Sequence, residues 1–208
     1  APEMATLVFN CGFQWPDDDD PKRAAKILSF QTALFKLQLQ LERSMTVMAA
    51  ATGRPSIIIF DRGLMDGKGY MEPEWWEQLL HDVAHVGRDV VLLGRDVSEQ
   101  YILQRYDGVI HMVTAAEGAA AFYKHGDVVD DAGNQVFRRE APTEAIALDH
   151  KTRRCWQDHP RHIVVENPPA PEDCGMAGFH KKLRTATQAV LEIARQVHPQ
   201  TARAQDAV

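Results

Sequence analysis

The sequence lacks several features that would each have assigned the chain to a class. Its 208 residues contain no apolar run of the about 18–20 residues that a membrane helix needs, and no basic region followed by an apolar stretch opens the chain as in a signal peptide. The three cysteines, Cys11, Cys155 and Cys174, are far apart and form no C-x-x-C or Cys/His ligand spacing. We therefore expect a cytoplasmic protein with reduced thiols, no membrane span and no zinc.

Basic residues are too few for a nucleic-acid-binding protein. Lys and Arg number 23 against 29 Asp and Glu, which gives a formal net charge of −6, and no cluster of cations with interleaved aromatic residues is visible. Duplex binding needs such an electrostatic surface, so nucleic acid is not an expected partner. The 45% of hydrophobic residues is ordinary for a globular domain with one core.

Apolar residues that recur every three or four positions predict several amphipathic helices. Asp20-Pro21 opens the longest of them, with Asp20 as a capping side chain and Pro21 in the first turn. Its predicted buried stripe consists of Ile27, Phe30, Leu34, Leu37, Leu41, Met45 and Met48. Further helices are predicted from Pro73, from Ser98, over 143–157 and at the C-terminal end, the last with the stripe Phe179, Leu183, Ala186, Val190, Ile193 and Val197.

Three runs rich in β-branched residues predict strands that are buried on both faces, at 56–60, 109–113 and 162–166. Strands that alternate with helices predict parallel pairing, so the expected fold class is α/β, a three-layer α/β/α sandwich. We expect one domain over 1–197 and a fraying tail over 198–208, with the function at the carboxyl ends of the strands.

Asp61 and Arg62 stand at the carboxyl end of the first predicted strand. A carboxylate there can hold Mg²⁺ directly or through water, and a guanidinium can bind a phosphate or a carboxylate in a bidentate manner. The competing interpretation is a helix-capping Asp with a structural Arg. The following run from Gly63 to Gly69 resembles a phosphate loop only superficially. Its glycine spacing is one residue short of G-x-x-x-x-G-K-[ST], and Gly69 stands where Ser or Thr is needed, so we reject it.

Several blocks of residues, in this order and spacing, resemble a known family. They are Ala1-Pro2-Glu3-Met4-Ala5-Thr6, Phe30-Gln31 with Gln38 and Glu42, Asp61-Arg62-Gly63 with Asp66 and Tyr70, Tyr106 to His111 running into Thr114-Ala115-Ala116, Phe122-Tyr123, Arg138-Arg139-Glu140 with Ala145 and Asp149, Trp156 with His159-Pro160, and Asn167. Together they resemble the NadR-like branch of the nucleoside-kinase-type P-loop NTPases. That branch includes the GTP-binding proteins of the TRPL-translocation-defect type, and it is more distantly similar to the deoxynucleoside kinases.

The resemblance implies a sheet of five parallel strands whose first strand and Walker A phosphate loop precede the segment that contains Glu3. The chain would then begin at the end of the second strand. Since the first strand is central in such a sheet, we expect a gap between the strand that ends at Phe60 and the one that ends at Val113.

The resemblance also implies roles for individual residues. Glu3 matches the carboxylate that accepts the proton of the substrate hydroxyl, although an ordinary exposed Glu is the competing interpretation. Asp61 would hold Mg²⁺, which accompanies ATP or GTP. Arg62 and Arg138 would bind phosphate, and Arg138 would do so from a mobile lid.

Four further residues are implied to bind nucleotide or substrate. Gln31 would hydrogen-bond a base or a nicotinamide-like ring, or it is simply a polar residue beside the helix stripe. Tyr70 belongs to the block that begins at Asp61. Arg139 follows Arg138 in the lid, with a solvated side chain as its alternative, and Asn167 follows the last strand, where the purine lies in kinases of this type.

Three functions remain open at the level of the sequence. The first is a kinase that transfers a phosphoryl group from ATP or GTP to a nucleoside-like small molecule. The second is a GTP- or ATP-binding regulatory module that acts through a protein partner. The third is a chain that is inactive alone because its 208 residues contain no phosphate loop, in which case it binds ATP and GTP poorly.

Overall fold

A computed structural model describes residues 1–17, 19–85, 97–129, 135–138, 140–168 and 176–198. The chain forms two compact units, Ala1–Ile102 and Leu103–Val208, and each is treated by itself. The expectation of one domain over 1–197 stays a prediction. Of the predicted tail over 198–208, only His198 lies among the described residues.

The first unit is helical in its described part. Its elements are α1 (Met4–Asn10), α2 (Arg23–Ala51), a 3-10 helix (Leu64–Tyr70), α3 (Pro73–His85) and α4 (Glu99–Leu103). α2 packs on α1, on the 3-10 helix and on α3. The prediction for α3 is confirmed, since Trp76, Leu79 and Val83 are buried in this core. A helix in the region from Ser98 is confirmed by α4.

The long helix is confirmed, but its predicted buried stripe is wrong beyond the first two turns. Ile27 and Phe30 are buried as expected, whereas Leu37 and Met48 are 46% and 55% exposed. The buried positions are instead Ile27, Phe30, Gln31, Phe35, Gln38, Leu39 and Glu42. This face includes three polar side chains, and it is buried because the 3-10 helix and α3 lie against it. A search for apolar periodicity could not find a face of that composition.

The predicted strand at 56–60 is the second correction. Residues 57–60 have no assigned strand, and Ile57 and Ile59 are 57% and 62% exposed. The segment bonds to the start of the chain, where the amino group of Ala1 donates to the Ile59 carbonyl at 2.6 Å and the Asp61 N–H donates to the Ala1 carbonyl at 3.3 Å. No described element covers these side chains, so their apolar character does not bury them.

The second unit contains both sheets of the described chain. Its elements are β1 (Val109–Met112), a short 3-10 helix (Ala120–Phe122), β2 (Gly126–Val129), β3 (Gln135–Arg138), α5 (Pro142–Cys155), β4 (His162–Val165) and α6 (Met176–Val197). β1 pairs with β4 in parallel, with Val109 opposite His162, and β2 pairs with β3 as an antiparallel hairpin. Strands near 109–113 and 162–166 and a helix near 143–157 are thereby confirmed. The three-layer sandwich and the gap in its sheet stay predictions.

The predicted buried stripe of the last helix is right at Ala186 and wrong at its first two members. α6 packs on β1 and β4 through Lys182, Ala186 and Ala189, while Phe179 and Leu183 are 52% and 47% exposed. Small residues allow this helix to approach the sheet closely. A Cβ on Gly108 would come too close to the Ile193 side chain, which would have to shift.

None of the helices in the described part of the chain is both long and apolar enough to cross a membrane. Cys11 and Cys155 are free thiols, and Cys174 lies outside the described residues.

Candidate functional site

Glu3 and Arg62 form an ion pair in the first unit. Glu3 precedes the first turn of α1 with an extended backbone, and its Oε1 accepts a hydrogen bond from the Arg62 Nε at 3.3 Å. The Thr6 hydroxyl donates to the other carboxylate oxygen, Oε2, at 2.5 Å. The two charged side chains are 29% and 47% exposed, so both can be reached from solvent. The pair is a carboxylate held by two donors at the surface, next to an accessible guanidinium.

Asp66 and Tyr70, both on the 3-10 helix, also lie near Arg62. The Asp66 Oδ2 lies 3.9 Å from the Arg62 Nη1 and also accepts the N–H of Gly63 at 3.3 Å. Withdrawal of the guanidinium from water opposes its charge, but Tyr70, Asp66 and the neighbouring Glu3 and Asp61 outweigh this effect and raise the pKa of Arg62. Arg62 therefore remains a cation at every pH at which the protein is folded.

Asp61 is a carboxylate among other carboxylates. Partial burial raises its pKa, and Glu3 and Asp66 raise it further, while Arg62 and the terminal amino group lower it. Carboxylate oxygens are the ligands that Mg²⁺ prefers, and Mg²⁺ usually takes only one or two of them together with waters and substrate phosphates. The described residues contain no group of three or more His, Cys, Asp or Glu that could hold a metal ion. The Asp61 carboxylate has the chemistry that a Mg²⁺ ligand needs, and its assignment to Mg²⁺ stays a prediction.

The backbone of Arg62 has a left-handed conformation, with φ of +73°. Side chains other than Gly disfavour this region by about 1–2 kcal/mol because Cβ crowds the following carbonyl. Arg62 is the sole non-glycine residue with positive φ in the described part of the chain. Strain of this kind is characteristic of functional sites, where the side chain is needed in spite of its backbone.

The strain predicts that Arg62→Gly costs no stability. Glycine removes the steric conflict, and the lost ion pairs belong to a half-exposed side chain and contribute about 0–1 kcal/mol. We expect the free energy of unfolding in urea to stay within about 1 kcal/mol of wild type. The matched control is Arg54→Gly, at a position without positive φ, which is expected to lose about 0.5–1 kcal/mol. A loss of more than about 2 kcal/mol in Arg62→Gly would show that the residue is structural.

Gln31 lies on α2 in the same unit, and its side chain is buried. Its side chain is 5% exposed, and its Oε1 lies 3.5 Å from the position that a Cβ on Gly67 would occupy. The adjacent Phe30 stacks on Phe13 with ring centroids 4.2 Å apart, and the Trp15 ring meets Phe30 edge-on. Gln31 is thus beside an aromatic cluster at the start of α2, and its binding role stays a prediction.

The rejected phosphate-loop run folds as the 3-10 helix Leu64–Tyr70. Its Lys68 forms an ion pair with Glu99, with Nζ and Oε1 2.6 Å apart. A lysine engaged by a carboxylate is not presented to a phosphate, which agrees with the rejection of this run.

The Asn167 side chain, in the second unit, forms hydrogen bonds to other residues of the chain. Its Nδ2 donates to the carbonyls of Thr114 and Glu117 at 2.7 and 2.6 Å, and its Oδ1 accepts from the Lys182 Nζ at 2.8 Å. The same Nζ donates to the Val113 carbonyl. Lys182 is 8% exposed, and burial lowers its pKa. Asn167 and Lys182 therefore join the loops that follow β1 and β4 at their carboxyl ends, and nucleotide binding by Asn167 stays a prediction.

A second polar group links α5 to β1. The Asp149 Oδ2 lies 3.0 Å from the His111 Nε2, and its Oδ1 accepts the N–H of Thr114 at 2.9 Å. Although burial opposes it, the hydrogen bond and charge of His111 lower the pKa of Asp149. The His162 ring lies edge-on to the His111 ring, and its buried Nε2 has no hydrogen-bond partner among the described residues.

The buried position of His162 predicts that the stability of this unit falls at acidic pH. Burial lowers the pKa of His162 below 6.5, and the charges of His111, Arg153 and His159 lower it further. The unfolded chain therefore binds a proton near pH 6.5 before the folded chain does, so stability falls as the pH drops from 6.5 to the lowered folded value. Thermal unfolding of His162→Leu from pH 8 to 5 should show a weaker pH dependence than wild type.

The control for this experiment is His180→Leu, because His180 is an exposed histidine on α6. It should retain the wild-type pH profile. An unchanged profile in His162→Leu would show that another group causes the acid sensitivity. Asp149 acts at lower pH, since its stabilising contribution is lost only as the pH falls below 3.8 and through its lowered folded value.

Arg138 ends β3, and its side chain lies outside the described residues, as does the whole of Arg139. The lid roles of both arginines stay predictions.

The structure thus brings together Glu3, Asp61, Arg62 and Tyr70 of the residues predicted from the sequence. Sequence reasoning gave no role to Asp66, Thr6, Gln38 or Lys182. The spacing of Asp66 four residues after Arg62 was an available signal for an ion pair. The spacing of Gln38 and Glu42, four residues apart on α2, was likewise an available signal for a side-chain hydrogen bond.

Comparison with known proteins identifies no relative: no protein-family model, no curated protein and no solved structure matches the chain significantly.

Proposed function

We propose that this chain belongs to a nucleotide-dependent kinase, which transfers the γ-phosphoryl group of ATP or GTP to a hydroxyl group of a nucleoside-like small molecule. The observation that supports the proposal is the Glu3–Arg62 pair, with Oε1 and Nε 3.3 Å apart. The pair consists of a solvent-accessible carboxylate beside a permanent cation. The family resemblance of the sequence supports the same reaction and the same two residues.

The chemistry asks little covalent work of the protein. Glu3 would accept the proton of the acceptor hydroxyl as its oxygen forms a bond to the γ-phosphorus, while the bond from that phosphorus to the bridging oxygen of the nucleotide breaks and ADP or GDP leaves. The Thr6 hydroxyl and the Arg62 Nε hold one carboxylate oxygen each, which fixes the direction of the carboxylate. A positioned base of this kind contributes about 10²–10⁴-fold.

Arg62 would contribute positive charge. Its Nε is engaged by Glu3, and the half-exposed guanidinium can turn its remaining N–H groups toward phosphoryl oxygens, where charge develops. Mg²⁺, when bound, would neutralise phosphate charge, and Asp61 is the residue that would hold it. The resemblance adds Arg138 and Arg139 as lid cations and Gln31, Tyr70 and Asn167 as nucleotide or substrate contacts.

The proposal also includes a cytoplasmic location, which the three widely spaced cysteines support. Its partners are a nucleotide and a nucleoside-like acceptor.

The proposal is tested with the protein that contains these residues, at its natural length. ATP or GTP and Mg²⁺ are incubated with a panel of nucleosides and nicotinamide riboside, and phosphorylated products are separated by chromatography. A phosphorylated nucleoside-like product is the expected result. Nucleotide hydrolysis without such a product would refute the kinase and would favour a nucleotide-binding regulatory module.

A further inference from the structure

We propose that Gln38 and Glu42 are positioning residues that hold Arg62 in its left-handed backbone conformation and so direct its guanidinium to Glu3. The kinetic part of this inference rests on the proposed function, whereas the conformational part does not. Gln38 acts from α2 on the backbone of Arg62, and Glu42 acts on Gln38.

The two residues form a buried polar pair one helical turn apart. Gln38 is 6% exposed and Glu42 is 3% exposed. The Gln38 Nε2 lies 3.2 Å from the Glu42 Oε1 and also 3.2 Å from the carbonyl oxygen of Arg62. Glu42 makes a further interaction besides this one. Burying an amide and a carboxylate is costly unless they are hydrogen-bonded, so this pair requires an explanation.

Glu42 determines which end of the Gln38 amide meets Arg62. A carboxylate only accepts hydrogen bonds, so the amide must present its NH₂ group to Glu42. That group has two N–H donors, and the second is left to donate to the Arg62 carbonyl. If the amide were flipped, its oxygen would face both the Glu42 carboxylate and the Arg62 carbonyl oxygen, and neither contact would be a hydrogen bond. Glu42 therefore fixes the rotamer, and Gln38 holds the backbone.

The carbonyl is the right atom to hold, because the position of Arg62 is determined at its backbone. With φ of +73°, Arg62 occupies a region from which an L residue relaxes readily unless its surroundings prevent it. On one side of the residue the Asp61 N–H donates to Ala1, and on the other the Gly63 N–H donates to Asp66. Gln38 adds a hydrogen bond to the carbonyl of Arg62 itself.

The test compares two substitutions of the same kind on the same helix. Gln38→Met keeps the volume of the side chain and removes its donor. Gln40→Met is the matched control, because Gln40 is exposed and bonds only to Ser44 in the described chain. The readouts are the Arg62 amide, Cα and Nε–H resonances by NMR, which report the backbone conformation and the guanidinium environment.

We expect Gln38→Met to move the Arg62 Cα resonance away from the left-handed range and to shift its Nε–H resonance, while Gln40→Met leaves both in place. In the kinase assay we expect kcat to fall about 10–100-fold with KM for the nucleotide within about twofold, since the base and cation are misplaced but the nucleotide contacts remain. A purely structural residue would lower the melting temperature without this separation of kcat from KM.

Unchanged Arg62 resonances in a folded Gln38→Met protein would overturn the inference, whatever the activity. If Gln38→Met does not fold, Glu42→Met is used instead. It has a similar length and removes the acceptor that fixes the Gln38 amide, so the same shifts in Arg62 are expected, and their absence would overturn the inference equally. Should the wild-type protein phosphorylate nothing, the proposed function fails while the NMR comparison still decides the positioning role.

Discussion

Glu3→Gln is expected to reduce the rate of phosphoryl transfer by about 10²–10⁴-fold while leaving the fold intact. The amide cannot accept the proton of the acceptor hydroxyl, so the base is lost. Its oxygen can still accept from Thr6 or from Arg62, and the side chain is 29% exposed, so the loss of charge is compensated largely by solvent. We expect the free energy of unfolding to change by about 1 kcal/mol or less.

The measurement is product formation at saturating nucleotide, together with urea denaturation of the same preparation. Glu74→Gln serves as the control, because Glu74 is exposed in the first turn of α3 and no described hydrogen bond or ion pair involves it. It should retain the wild-type rate. Activity in Glu3→Gln within about threefold of the control would remove Glu3 from the mechanism, since a general base contributes far more than that.

Trp76→Ala is expected to have the largest effect on stability, a loss of about 3–5 kcal/mol. The side chain is 2% exposed, and its ring meets Phe35 of α2 edge-on at 6.2 Å. The indole Nε1 donates to the Glu99 Oε1 at 2.7 Å, and the same oxygen lies 2.6 Å from the Lys68 Nζ. One ring thus connects α2, α3, α4 and the 3-10 helix that carries Asp66. Truncation removes that packing and leaves a cavity at their junction.

The neighbouring tryptophan provides the control. Trp75 is only partly buried, so Trp75→Ala should lose about 1 kcal/mol or less. Trp76→Phe keeps a six-membered ring but removes the hydrogen bond to Glu99 and the pyrrole part of the indole, so we expect a stability between those of the wild type and Trp76→Ala. Equal losses in Trp75→Ala and Trp76→Ala, measured by urea denaturation, would contradict the assignment of Trp76 to the core.

Local patterns were sufficient for the existence and the type of most elements. β-branched runs placed β1 and β4, and periodicity placed α2, α3, α5 and α6, because these signals depend on neighbours within a few positions. The same patterns predicted the buried faces of α2 and α6 only in part. Gln38, Glu42 and Lys182 are buried there and Leu37 and Phe179 are exposed, since burial depends on which surfaces the tertiary fold brings together.

For the candidate site, too, some features follow from the sequence and others only from the tertiary structure. The sequence by itself determined that Asp61 and Arg62 follow an extended apolar run, that Glu3 lies near the start of the chain, and that no phosphate-loop motif occurs in the 208 residues. Only the tertiary structure decided that Glu3 meets Arg62 across 59 positions of sequence, and that Arg62 has a left-handed backbone tied to Gln38. Ion pairs and backbone strain of this kind arise from contacts distant in sequence, and no local periodicity encodes them.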